Sequence, residues 1–180
     1  MNLTDLRAEY DSARSWTEGL VEGLDDAAVM WRPRPESSAI GWHLGHVAAV
    51  NHFMLRNLTA AEPSLDPRSD RVFDSALPEP QRGDLPALDD IMTFRQAVAG
   101  STHRTLTRIG RGDVGAPAQL DLIAVTMLTS VINHEYQHGT WMAEVRATLG
   151  FGPARPPASS RLELVEGYWL LHPRHLAHPA

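Results

Sequence analysis

The chain has 180 residues, 43% of them hydrophobic, which is enough for one domain with a real core. It has no cysteine and no lysine, all 16 basic residues being arginine, which excludes disulfides, thiolate metal sites, thiol nucleophiles, lysine Schiff bases and a Walker-type phosphate lysine. Against 22 acidic residues the net charge is −6, so no bulk attraction to nucleic acid or to an anionic membrane is expected, and no apolar run approaches the ~20 residues of a membrane span. The opening Met1-Asn2-Leu3-Thr4-Asp5 has neither the basic nor the apolar region of a secretion signal, and a cytoplasmic location is the expectation.

Residues 2–22 predict an amphipathic helix, capped by Thr4, with Leu3, Leu6, Tyr10, Ala13, Trp16 and Leu20 at helical spacing. Residues 24–37 predict a loop, because Trp31-Arg32-Pro33-Arg34-Pro35 is too proline-dense for a helix interior. Ser37 or Ser38 then opens a second helix to about Leu58. The proline-rich, mostly polar stretch 59–85 reads as a long irregular connection with room for one helical turn. A third helix is expected over 86–110 and a fourth, the longest, over 118–149, ended by Gly150 and Pro153. The tail 151–180 shows no convincing strand alternation and carries an apolar patch at Val165 and 168–171. The expected architecture is all-α: an antiparallel four-helix bundle over 1–150 with a long crossover, and a tail over 151–180 packed on it.

Histidine placement is the informative feature. In His134-Glu135-Tyr136-Gln137-His138 the two histidines are four residues apart, about 40° around the axis, so both rings leave one face one turn apart. That face is otherwise the apolar stripe Leu120, Ala124, Met127, Val131, Trp141 and Val145. Two buried polar rings need partners, since leaving each unsatisfied costs roughly 1–3 kcal/mol, and a shared cation satisfies both. The second helix offers a third ligand on its own stripe: His46, with His43 one turn earlier as the competitor. Three neutral imidazoles leave coordination positions open, the pattern of a catalytic metal. Glu135 is the candidate for handling protons. His43, Arg56 and Trp141 are candidates for contacting substrate, with Arg32 and Arg34 as further candidates for a carboxylate. His103 reads as a solvated helix residue, and His172, His175 and His178 as surface tail.

Two segments together resemble the DinB/YfiT-like superfamily. They are Trp31-Arg32-Pro33 followed by Ile40-Gly41-Trp42-His43-Leu44-Gly45-His46-Val47, and His134-Glu135-x-x-His138 followed by Arg146 and Leu149-Gly150. The resemblance implies an often dimeric bundle holding a divalent metal by one histidine of the second helix and two of the fourth, here His46, His134 and His138. It leaves zinc, nickel, iron and manganese open. The motif pair looks especially similar to the DinB-type domain of ergothioneine sulfoxide synthases, which have a second large domain forming part of the active site; sulfoxide synthesis by these 180 residues alone is not expected. Other relatives are transferases or isomerases that use mycothiol, bacillithiol or glutathione. The implied function is a metal-dependent enzyme that activates a thiol cofactor, such as mycothiol, or water toward a small-molecule substrate, as a homodimer. Two other readings compete. One is a non-catalytic metal-binding or stress-related accessory protein. The other is an HExxH zinc protease, with Glu135 as base and Glu163 or Glu166 as third ligand.

Overall fold

The computed structural model describes residues 1–58, 62–77, 82–159 and 161–171. Helix α1 spans Leu3–Gly19. Its cap is Asn2 rather than Thr4: Asn2 Oδ1 accepts from the Asp5 amide (2.9 Å), and the Asp5 carboxylate reaches back to the Asn2 amide. Within the expected loop a short helix, α2, forms over Asp26–Met30, because the Asp25 side chain accepts from the Ala28 amide (2.8 Å) and closes the first turn. Helix α3 is Ile40–Leu58. The expected helical turn in the connection is α4, Pro67–Val72, with Asp66 as cap and Pro67 in the first turn. Helices α5, Leu88–Gly110, and α6, Pro117–Arg146, complete the set. The expected end of the fourth helix at residue 149 is replaced by a wider turn over Ala147–Phe151.

The long helices α1, α3, α5 and α6 form the bundle. Helix α3 packs on α5 and α6, and α6 packs on α3 and α1, so α1 and α3 face each other across the core diagonal. There Asn51 donates to the Tyr10 hydroxyl (2.7 Å) and to Thr102 Oγ1 (3.1 Å). Helix α6 touches every other long helix, so its buried surface is wider than the stripe the spacing suggests. Ala124, Val131 and His138 lie on one side, and Leu128, Ile132, Glu135 and Tyr136 on the next. Gly139 lets α1 approach this second side: a Cβ there would sit 2.4 Å from the Trp16 ring.

The tail, like the 24–37 stretch, holds an element the sequence does not lead one to expect, a β-hairpin. Strands β1, Leu162–Val165, and β2, Tyr168–Leu171, pair antiparallel in the register Val165↔Tyr168. The two residues between them, Glu166 and Gly167, both have positive φ (50° and 90°), the mirror-image turn that suits a two-residue hairpin. Leu171 donates its amide to Asn133 Oδ1 (2.8 Å), which ties β2 to α6 beside His134. His172, His175 and His178 lie outside the described residues. Among the described residues no helix is long and apolar enough to cross a membrane.

Candidate metal centre

Helices α3 and α6 face each other along the two histidine stripes. One ring nitrogen from each of His46, His134 and His138 lies within 4.8 Å of the other two, and no other His, Asp or Glu triad of this kind occurs among the described residues. His46 and His138 are buried and His134 is half-buried. The rings pack closely: His134 and His138 centroids are 4.4 Å apart, and His46 lies 5.2 Å from His134 and 4.9 Å from His138.

Two of the three rings are oriented from behind. His46 donates Nδ1–H to the Phe73 carbonyl (2.7 Å), just past α4, which leaves its Nε2 for the cluster. The Trp42 indole stacks flat on the same ring (4.5 Å, 11°) and carries the Arg82 guanidinium near its ring (5.1 Å to the centroid). His138 Nδ1 lies 2.8 Å from His43 Nδ1. Only one proton fits between two such nitrogens. For His138 to offer Nε2 as a ligand, its Nδ1–H must donate to His43. Trp141 packs its edge against His138 (4.8 Å) and meets Tyr168 of the hairpin (5.8 Å).

The donor set suits a divalent cation. Burial, followed by the neighbouring imidazoles, lowers the pKa of His43 and of His134 to about 4 and that of His138 to about 2. Burial also lowers His46, against the opposing pull of the Phe73 carbonyl. Neutral rings are the ligating form. An acid-labile fold follows. The unfolded rings titrate near 6.5, so below that pH the unfolded chain binds protons that the folded chain refuses. Stability falls from about pH 6.5 down through about 4, with a slope of about 1.4 kcal/mol per pH unit for each ring unprotonated only in the fold. Urea unfolding of chelator-treated protein between pH 7.5 and 4.5 checks this. A midpoint that stays fixed contradicts the buried, neutral state of the rings.

A DinB superfamily model matches residues 9–142, which covers both histidine segments and all four long helices in whole or part. The chain belongs to the DinB superfamily. No curated protein matches it significantly. The bundle and histidine cluster of this superfamily member agree with the all-α expectation.

The other candidate residues are distributed unevenly. Glu135 does not face the cluster through its bonded oxygen: its Oε1 accepts from Arg95 Nη2 (2.7 Å) and from the Thr17 hydroxyl, on the second buried side of α6. The proton-handling role expected of it does not follow from this placement. Arg95 is 1% exposed and also donates to the Leu44 carbonyl (2.7 Å). Burial alone would lower its pKa, but the Glu135 and Glu18 carboxylates outweigh that and hold it charged. His43 stands behind His138 as its hydrogen-bond partner. Arg56 lines a cavity of about 490 Å³ that opens on His46. Arg32 and Arg34 are exposed. His103 is less free than expected, lying between Asp11 (2.9 Å) and Arg7 (3.2 Å). Glu163 and Glu166 sit on the exposed hairpin and join no histidine triad. The protease arrangement therefore lacks its third ligand. Gly45 enters the sequence reading only as part of the motif, and Phe73 not at all. Phe73 lies in the proline-rich connection, but its ring fills the space a Gly45 side chain would take and its carbonyl holds His46.

Proposed function

We propose that this DinB-superfamily protein is a metal-dependent enzyme acting on a small molecule, of the thiol S-transferase, isomerase or hydrolase type, with His46, His134 and His138 as the ligands. The observation that carries this reading is the convergence of three neutral, buried-to-half-buried imidazoles from two helices, two of them aimed by partners behind the ring. A divalent cation held there supplies Lewis acidity, which lowers the pKa of a thiol or water beside it. The protein's own groups do the rest. The Phe73 carbonyl and His43 fix which nitrogens face the cluster, and Trp42 and Trp141 restrict rotation of the His46 and His138 rings. The cavity beside the cluster brings a small molecule up to the His46 ring, the one of the three that lines it. A low-molecular-weight thiol such as mycothiol, and a homodimeric state, belong to the same proposal and rest on the resemblance of the two histidine segments.

Elemental analysis of untagged protein tests the reading. The expected result is one zinc, nickel, iron or manganese per chain, lost in His46→Ala and in His134→Ala. Thiol-dependent consumption of an electrophile should then disappear in the His134→Ala, His138→Ala double variant. Metal retained in His46→Ala but lost in Glu163→Ala would restore the protease reading. Turnover that survives loss of both α6 histidines would overturn the proposal.

A further inference from the structure

The cavity beside His46 carries chemistry that the histidine cluster does not use. Helix α3 lines it with His46, Ala49, Val50, Phe53 and Arg56, spaced by threes and fours on one face. His46 and Arg56 are thus ten residues apart, about 15 Å along the axis. The opposite wall includes Asp70, Phe73 and Asp74, from α4 and the turn after it. The volume of about 490 Å³ is that of a small-molecule site.

The end far from His46 is an incomplete ion pair. Arg56 Nη2 lies 3.6 Å from Asp70 Oδ2, beyond hydrogen-bond distance. Arg56 Nε and Asp70 Oδ1 are shielded from solvent and have no hydrogen-bond partner. The pair therefore holds one unfilled donor and one unfilled acceptor. The guanidinium also lies over the Phe53 ring (5.8 Å), which is itself 59% exposed. The second carboxylate of the lining, Asp74, follows Phe73 at the His46 end. At the far end a plain carboxylate would suit Arg56 but meet Asp70. A plain amine would suit Asp70 but meet Arg56. A head group with both charges matches both.

We infer that this groove binds a small molecule with an amino-acid head, its carboxylate on Arg56 and its ammonium on Asp70, and its apolar body along Ala49, Val50 and Phe53 with the far end at His46. The inference rests on the reading of the histidine cluster as the reactive end only for the ligand's direction.

The test uses chelator-treated full-length protein, so it does not depend on the metal. Norleucine, hexanoate and hexylamine are compared by titration calorimetry. Norleucine is expected to bind on the order of tenfold tighter than either single-charge analogue, and Arg56→Gln and Asp70→Asn each to weaken it by a similar factor. Leu164→Ser, on the exposed hairpin outside the groove lining, should leave it unchanged. Phe53→Ser, at an exposed position that cannot disturb the core, should weaken norleucine more than glycine. Norleucine should also shift the amide resonances of Ala49, Val50, Phe53 and Asp70. Hexanoate binding as tightly as norleucine would make this an anion site, and hexylamine doing so a cation site; either overturns the inference. So does an absence of saturable norleucine binding, or binding that survives both charge substitutions in folded protein. An empty elemental analysis would sink the metal reading alone and leave this titration unaffected.

Discussion

Arg95→Ala is expected to destabilise the protein by about 3–5 kcal/mol, the largest loss from any single side chain outside the apolar core. Arg95 is 1% exposed and links three helices: it donates to Glu135 on α6, to Thr17 and Glu18 on α1, and to the Leu44 carbonyl within α3. The pair's net contribution is small, because desolvating two ions offsets most of their attraction. Removing one partner is different, since Glu135, at 2% exposure, is left as an uncompensated buried charge. The Leu44 carbonyl loses its donor at the same time. Urea unfolding at pH 7 measures the loss. The double variant Arg95→Met, Glu135→Leu should recover most of it, because it removes both charges and keeps the volume. A single-variant loss below about 1 kcal/mol, the range of solvated pairs, would mean that water reaches this site.

The two α6 histidines were legible because spacing four on an apolar stripe is a local signal, and His46 because a second stripe had to face the first. The Arg95–Glu135 pair was not. Arg95 falls on the periodic face of its helix, and Glu135 lies about 70° from the centre of the α6 stripe, at its edge, where a solvated charge is the ordinary expectation. Helix α6 contacts three other helices, so that second side is interior too. Width of burial depends on how many neighbours a helix has, which one helix's periodicity does not report. The same holds for His43. Its place one turn before His46 made it a rival ligand, a substrate contact or a hydrogen-bonding neighbour of the site; the last agrees with the structure, but only the α3–α6 approach shows that its partner is His138. The hairpin was missed for a different reason. Its strands have four residues each, too short for alternation to stand out, although Glu166-Gly167 between apolar residues was a usable turn signal.

Gly45→Ala is expected to damage stability and metal binding together, and a neighbouring substitution separates the two effects. A Cβ on Gly45 would lie 2.1–2.5 Å from three atoms of the Phe73 ring, far inside contact distance. Phe73 is 1% exposed and stacked near Phe94 (6.2 Å), so the ring cannot simply swing out. Overpacking of this kind costs about 1–3 kcal/mol or more. The residue that must move is also the one whose carbonyl accepts from His46 Nδ1. Its displacement frees the His46 ring, and loss of such a partner behind a ligand typically costs about 10–100-fold in metal affinity. Gly139→Ala provides the contrast. Its Cβ would meet the Trp16 ring at 2.4 Å, a comparable overlap, but Trp16 orients none of the three histidines. Both variants should lower the unfolding midpoint, while only Gly45→Ala should lower zinc affinity measured by chelator competition in folded protein. Adding Phe73→Leu to Gly45→Ala relieves the overlap and leaves the backbone carbonyl in place, so it should return both quantities toward wild type. Equal loss of zinc affinity in the two glycine variants would show that general loosening of the bundle, rather than the Phe73 anchor, governs the cluster.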